Sequence, residues 1–235
     1  MRVPLSLWLP THIAYLVPMT MQKPHLIGVA GGSGSGKTSF IKQLRALFTE
    51  QELCILSLDN YYKPREKQSL DAMGVRNFDQ PESIDIQQFL LDLRCLMKGE
   101  SIEIREYTFN NVLAEARNLT FLPAPVIIVE GLFIYHFPEL RAMFDMKCFV
   151  EADDILKLIR RIQRDQMERN YPLDDVLYRY QFHVKPSYEK YILPYQREVD
   201  LIINNHHSFE QGVKVFKVYI NHLVKQAMGV SNLSR

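Results

Sequence analysis

Residues Gly31-Gly32-Ser33-Gly34-Ser35-Gly36-Lys37-Thr38 fit the pattern G-x-x-x-x-G-K-[ST], and no other stretch limits so strongly what the chain can fold into. An apolar run of strand length, His25 to Ala30, precedes it, and Phe40, Ile41, Leu44, Leu47 and Phe48 recur behind it at helical spacing. Strand, glycine loop and helix are the context in which such a loop cradles phosphates. Glycines let consecutive backbone N–H groups converge on an anion, and the following helix adds the partial positive charge of its N-terminus. Lys37 is then placed for the β- and γ-phosphates and the Thr38 hydroxyl for Mg²⁺. Chance would produce the fixed positions in about one chain in a hundred of this length. A Gly/Ser-rich linker would not stand between a buried strand and an amphipathic helix.

Further apolar runs repeat the alternation. Leu53 to Leu58 reads as a second strand, a helix spans about Asp85 to Met97 with Gly99 past its end, and Val126 to Glu130 is a β-branched run of the kind buried in a parallel sheet. A helix from about Pro138 to Phe144, a strand at Met146 to Val150, a long helix opened by Asp153, another over about Asp174 to Tyr191 disturbed at Pro186, a strand at Val199 to Ile203 and a closing helix from Phe209 to Met228 complete the series. The pattern predicts five parallel strands separated by helices. Between them, Ser101 to Phe109 and Leu119 to Leu122 read as a small antiparallel insertion, about 100–123.

With 235 residues and 47% apolar side chains the chain can bury one generous core, and a net charge of +1 provides no field for nucleic acid. Cys54, Cys95 and Cys148 lie in apolar runs without metal-ligand spacing, the pattern of reduced core thiols in a cytoplasmic protein. Residues 1–24, broken by Pro4, Pro10 and Pro18, suit neither a cleaved leader nor a membrane span; they are expected to be a loosely ordered extension, with Met19 or Met21 as the candidate start. Residues 25–228 would form the domain and 229–235 a tail.

Ligands of open α/β sheets bind beyond the carboxyl ends of the strands, so acids placed there face the phosphate loop. Asp59 ends the second strand and is a candidate base. Glu130, followed by Gly131, ends a strand of Walker B form and is a candidate Mg²⁺ ligand, directly or through water. In the long helix Ile155, Leu156, Ile159 and Ile162 are expected on the buried side. Its arginines 160, 161, 164 and 169 run up to the break at Asn170-Tyr171-Pro172, which is the form of a mobile lid, about 160–175, with cationic fingers.

Together G-G-S-G-S-G-K-T, L-D-N-Y-Y, N-F-D-Q-P, I-I-V-E-G, R-R-I-Q-R-D-Q-M-E-R and V-K-P-S-Y-E-K-Y-I-L-P, in that order over about residues 25–205, resemble the uridine kinase (uridine-cytidine kinase) branch of the phosphoribulokinase-like P-loop kinases. The resemblance implies a three-layer P-loop NTPase fold, ATP (or GTP) as donor, Mg²⁺, a small nucleoside acceptor, a cytoplasmic location and a homotetramer, with no nucleic acid or membrane partner. Residue by residue, it implies that Gly31 to Thr38 and Arg161 bind the nucleotide. Thr38, Asp59 and Glu130 hold the metal, and Asp59 also takes the proton of the nucleoside 5′-hydroxyl. Tyr62, Asp79, Tyr107 and Arg169 would contact the acceptor, and Lys37, Arg164 and Arg169 would act on the phosphoryl group. Two positions depart from the family: Val112 stands where its base-reading histidine is expected, with Asn110 and Asn111 beside it, and Arg179 stands where a glutamine is usual. The expected activity is ATP-dependent phosphorylation of uridine or cytidine to the monophosphate. The alternatives are a kinase of another small alcohol and a nucleotide-binding regulatory paralogue. A GTPase switch would carry N-K-x-D, and Ile203-Asn-Asn-His-His207 is not that motif.

Overall fold

The structure, a computed structural model, describes residues 23–108 and 115–229. The expected N-terminal extension, apart from Lys23 and Pro24, lies outside them, as do Phe109, Asn110, Asn111 and Val112 and the tail beyond Gly229.

Five parallel strands, β1 (His25–Ala30), β2 (Leu53–Ser57), β5 (Val126–Glu130), β6 (Met146–Glu151) and β7 (Leu201–Asn204), form one sheet in the order β2-β5-β1-β6-β7. Each of β1, β2 and β5 is buried along nearly its whole length, because helices cover both faces of a parallel sheet. On one face lie α1 (Lys37–Arg45) and the last helix, α7 (Glu210–Ala227). Phe40, Ile41 and Leu44 meet Val213, Phe216 and Ile220 there, with the rings of Phe40 and Phe216 edge to face at 5.1 Å. On the other face α2 (Ile86–Met97) and the short α3 (Pro138–Arg141) bury Phe89, Leu93, Leu96 and Leu140 against Leu56, Ile127 and Val129. Asp85 caps α2 by accepting the Gln88 amide.

The insertion is a two-stranded antiparallel ribbon, β3 (Ile102–Arg105) paired with β4 (Asn118–Phe121). After β6 come α4 (Asp154–Arg169) and α5 (Leu173–Arg179), then two π-helical stretches, Tyr180–Val184 and Tyr188–Ile192, on either side of a single turn, α6 (Lys185–Ser187). Pro186 sits in that turn, where the expected helix is disturbed.

The expected burial of α4 holds only in part, Leu156 and Ile162 being half-buried. Ile155 and Ile159 are exposed, at 72% and 44%, and the buried residues of the helix are Lys157, Arg161 and Asp165. The face turned inward is the one at spacing i, i+4, i+8 that carries charge, because what α4 packs against is the polar glycine loop rather than the sheet. Asp153 also does not cap α4 with its side chain; its carboxylate lies 3.0 Å from His206 Nδ1.

Candidate functional site

Strand order makes the site. Because β5 runs between β1 and β2, Glu130 lies in register with Val29 on one side and Ser57 on the other. The glycine loop leaves the end of β1, Asp59 follows the end of β2, and all three therefore open on the same rim.

The loop closes on itself through Ser35 N to Gly32 O at 3.1 Å and enters α1 through Phe40 N to Gly36 O at 3.0 Å. Gly34 (φ 81°) and Gly36 (φ 97°) adopt the left-handed conformation. A Cβ at Gly34 would strike the Lys157 carbonyl oxygen, and one at Gly36 would strike the Asn205 amide. Asn205, between β7 and α7, braces the loop by donating Nδ2 to Ser35 O at 2.7 Å. Lys37 is nearly buried and Thr38 stands exposed at the N-terminus of α1.

Glu130 is buried, and its carboxyl is raised above the ordinary glutamate value first by loss of solvent and then by the charge of Asp59, with Lys37 and the Ser57 hydroxyl opposing. Two neighbouring carboxylates and the Thr38 hydroxyl at the loop are hard oxygens suited to Mg²⁺ completed by phosphate oxygens and water, with Lys37 left for the phosphates. Among the described residues no cluster of three His, Cys, Asp or Glu side chains could hold a metal by itself.

The acceptor side is built from the segment after Asp59. Tyr62 is pinned by an antiparallel bridge to Ile84. Its ring lies 5.4 Å from that of Tyr107 at an interplanar angle of 32° and edge-on to Phe78 at 6.4 Å. Burial, and then the charges of Asp59 and Asp79, push the Tyr62 phenol well up, while Arg169 and Arg161 pull it down. The charges of four residues expected from the sequence thus act on the phenol of a fifth. Asn77 Oδ1 accepts the Asp79 amide at 2.9 Å and fixes the backbone there in an Asx turn.

Arg161 joins the two halves. Its Nη1 donates to Ser33 Oγ at 2.9 Å and lies 3.8 Å from Asp79 Oδ1. Its Nε is 3.2 Å from Asp165 Oδ2, an ion-pair distance without hydrogen-bond alignment. Asp165, 2% exposed, also meets Arg164 Nε at 2.9 Å and Arg169 Nη1 at 3.2 Å, so one buried carboxylate spaces three guanidinium groups. Arg169 is lowered from the usual arginine value by burial and by Arg164, against the pull of Asp165.

Four residues in this constellation were not expected from the sequence. Ser57 lies inside the apolar run of β2. Asp165 lies among the arginines of α4. Asn205 had no signal. Lys157 is buried beside the loop, with its ammonium 4.1 Å from the centre of the Tyr188 ring and 2.8 Å from Asp154 Oδ1. Its signal was present in the four-residue spacing of Lys157, Arg161 and Asp165, opposite Ile155 and Ile159. A hollow of about 750 Å³, lined by Glu151 to Leu156 with His206 and His207, opens beside Asn205 and contains none of the expected residues. Among the described residues no helix is long and apolar enough to cross a membrane.

The family model described as Phosphoribulokinase / Uridine kinase family matches residues 26–210. A protein of Streptococcus agalactiae named uridine kinase is 35% identical over 182 residues, covering 77% of this chain and 87% of the relative. A uridine kinase of Streptococcus gordonii is 32% identical over 205 residues, covering 87% and 98%. The solved phosphoribulokinase of Rhodobacter spheroides superposes with a TM-score of 0.55 at 17% identity, over 77% of this chain and 70% of its own, a likeness of fold alone. With its glycine loop, its β5 acid and most of its length inside the match, the chain is a phosphotransferase and belongs to the phosphoribulokinase/uridine kinase family.

Proposed function

We propose that the protein transfers the γ-phosphoryl group of ATP to the 5′-hydroxyl of uridine, and of cytidine, with Mg²⁺, giving the monophosphate and ADP. The observation that carries the reading is Arg161, which touches Ser33 of the phosphate cradle and faces Asp79 of the acceptor loop. A donor and an alcohol bound on its two sides would meet at Asp59.

Gly31 to Gly36 and Lys37 bind the β- and γ-phosphates, and the hollow beside Asn205 takes the donor base. Asp79 accepts from the ribose hydroxyls, and Tyr62 with Tyr107 packs against the nucleoside. Asp59 accepts the proton of the 5′-hydroxyl as its oxygen bonds to the γ-phosphorus and the bond from phosphorus to the ADP oxygen breaks. Arg161, Arg164 and Arg169 face the charge that spreads over the transferring oxygens, already spaced by Asp165, so little reorganisation is needed at the moment of transfer. Thr38, Asp59 and Glu130 would hold Mg²⁺, which would supply charge neutralisation on the phosphates.

A second reading, a kinase of another small alcohol, is favoured by one feature. Arg179, standing where the family usually has glutamine, is committed to Asp175 at 3.0 Å and to the Arg76 carbonyl at 3.0 Å. ADP release with Mg²⁺-ATP against a panel of nucleosides and small alcohols tests both. Stimulation by uridine and cytidine supports the first reading, stimulation by a different alcohol supports the second, and no acceptor-dependent release overturns both.

A further inference from the structure

The segment that delivers Asp79 is fastened at a second place, away from the cradle. From Ser69 to Asn77 it folds into a hairpin: the Asn77 amide donates to Ser69 O at 2.9 Å, Leu70 bridges Arg76, and Gly74 turns the chain at φ 78°. Asp71, on this hairpin, uses both carboxylate oxygens. Oδ1 accepts the amides of Met73 at 2.9 Å and Val75 at 2.8 Å, which shapes the turn. Oδ2 leaves the hairpin and accepts the Tyr178 hydroxyl at 2.8 Å and His183 Nε2 at 2.7 Å. Tyr178 belongs to α5 and His183 to the π-helical stretch behind it.

His183 is 2% exposed and its Nδ1 has no hydrogen-bond partner, so the contact with Asp71 is what satisfies this buried ring. With Asp71 as acceptor, the neutral imidazole carries its proton on Nε2. A second tie runs parallel to the first, from Arg179 Nη1 to the Arg76 carbonyl at 3.0 Å. Three residues on from Arg76 stands Asp79, and the chain between them is short and held by the Asn77 turn.

We infer that Asp71 is a positioning residue: by clasping Tyr178 and His183 it locks the acceptor loop to the helical segment behind α4, so that Asp79 and Tyr62 keep their places opposite Arg161 and Arg169. Loop and helical segment then move as one unit. The acceptor arm of this inference rests on the proposed nucleoside kinase reading.

Two variants separate the clasp from the hairpin. In Asp71→Ser the hydroxyl still accepts the amide two residues on and keeps the turn, but it is too short to reach Tyr178 or His183. Tyr178→Phe removes one bond from the other side and leaves the hairpin untouched. Each is expected to raise KM for uridine about tenfold, the size of a lost charge-assisted hydrogen bond, with KM for ATP and kcat little changed. Unchanged uridine KM in both variants overturns the clasp, as does an equal loss with respect to both substrates. Hydrogen exchange on the protein without substrates reads the clasp independently of catalysis. Asp71→Ser should speed exchange in residues 180–184 along with 69–79, whereas acceleration confined to the hairpin overturns it. Failure of the wild type to phosphorylate any nucleoside would sink the functional reading alone and leave the exchange result standing.

Discussion

Ser57 donates its hydroxyl to Glu130 Oε1 across the β2–β5 register and, with the same oxygen, accepts the Asp59 amide at 3.2 Å. A single hydroxyl thus sets the placement of both acids. Ser57→Ala leaves the buried Glu130 with one donor fewer. The expected outcome is a rise of about tenfold or more in the Mg²⁺ concentration for half-maximal ADP release, since outer partners of ligating carboxylates carry that much. A Mg²⁺ titration measures it, and an unchanged midpoint would remove Ser57 from the metal's surroundings.

Glu130 also predicts a pH dependence. Its folded-state pKa is raised, by burial and then by Asp59. The native protein therefore holds a proton that the unfolded chain releases near the ordinary glutamate value of 4.5. That contribution to stability is present below 4.5 and is lost as pH rises through the raised value. Thermal unfolding of the nucleotide-free protein should show this loss, and Glu130→Gln should flatten it. Mg²⁺-ATP, which favours the ionised carboxylate, should offset it in the wild type.

Lys37→Ala and Asp59→Asn should each remove nucleoside-dependent ADP formation and leave the circular dichroism spectrum unchanged. For Asp59→Asn the loss expected of a missing general base is about 10²- to 10⁴-fold in kcat. Full activity in that variant would refute Asp59 as the proton acceptor.

Asp165→Ala removes the carboxylate that three arginines share. Because Asp165 and Arg161 are both buried, the uncompensated charge should cost about 3 kcal/mol or more of folding stability. Urea unfolding measures this cost. Triphosphate added to the variant should recover part of it by supplying the missing negative charge, and the same cost with and without nucleotide would mean that the arginines do not face the phosphates.

Much of the fold could be read from local pattern. The strand, glycine loop and helix at residues 25–45 were recognisable because the glycine spacing is a backbone requirement, and the β-branched run ending at Glu130 because a strand covered on both faces needs apolar residues throughout. The position of Asp59 beyond β2 was legible because the carboxyl ends of parallel strands share one rim. The burial of α4 was misread for a physical reason. Apolar periodicity assumes a hydrophobic partner, and this helix packs its Lys157, Arg161 and Asp165 against a polar loop while Ile155 faces outward.

What the sequence determined by itself is therefore the short-range chemistry: which backbone can wrap a phosphate, which strands are covered, and where acids and arginines occur along the chain. What only the tertiary structure decided is which of them meet. Strand order placed Glu130 between Ser57 and the loop, helix docking turned Arg161 toward both Ser33 and Asp79, and the Asp71 tie joined residues more than a hundred positions apart. Such contacts depend on how separate elements close on one another, and no local spacing along a chain records that.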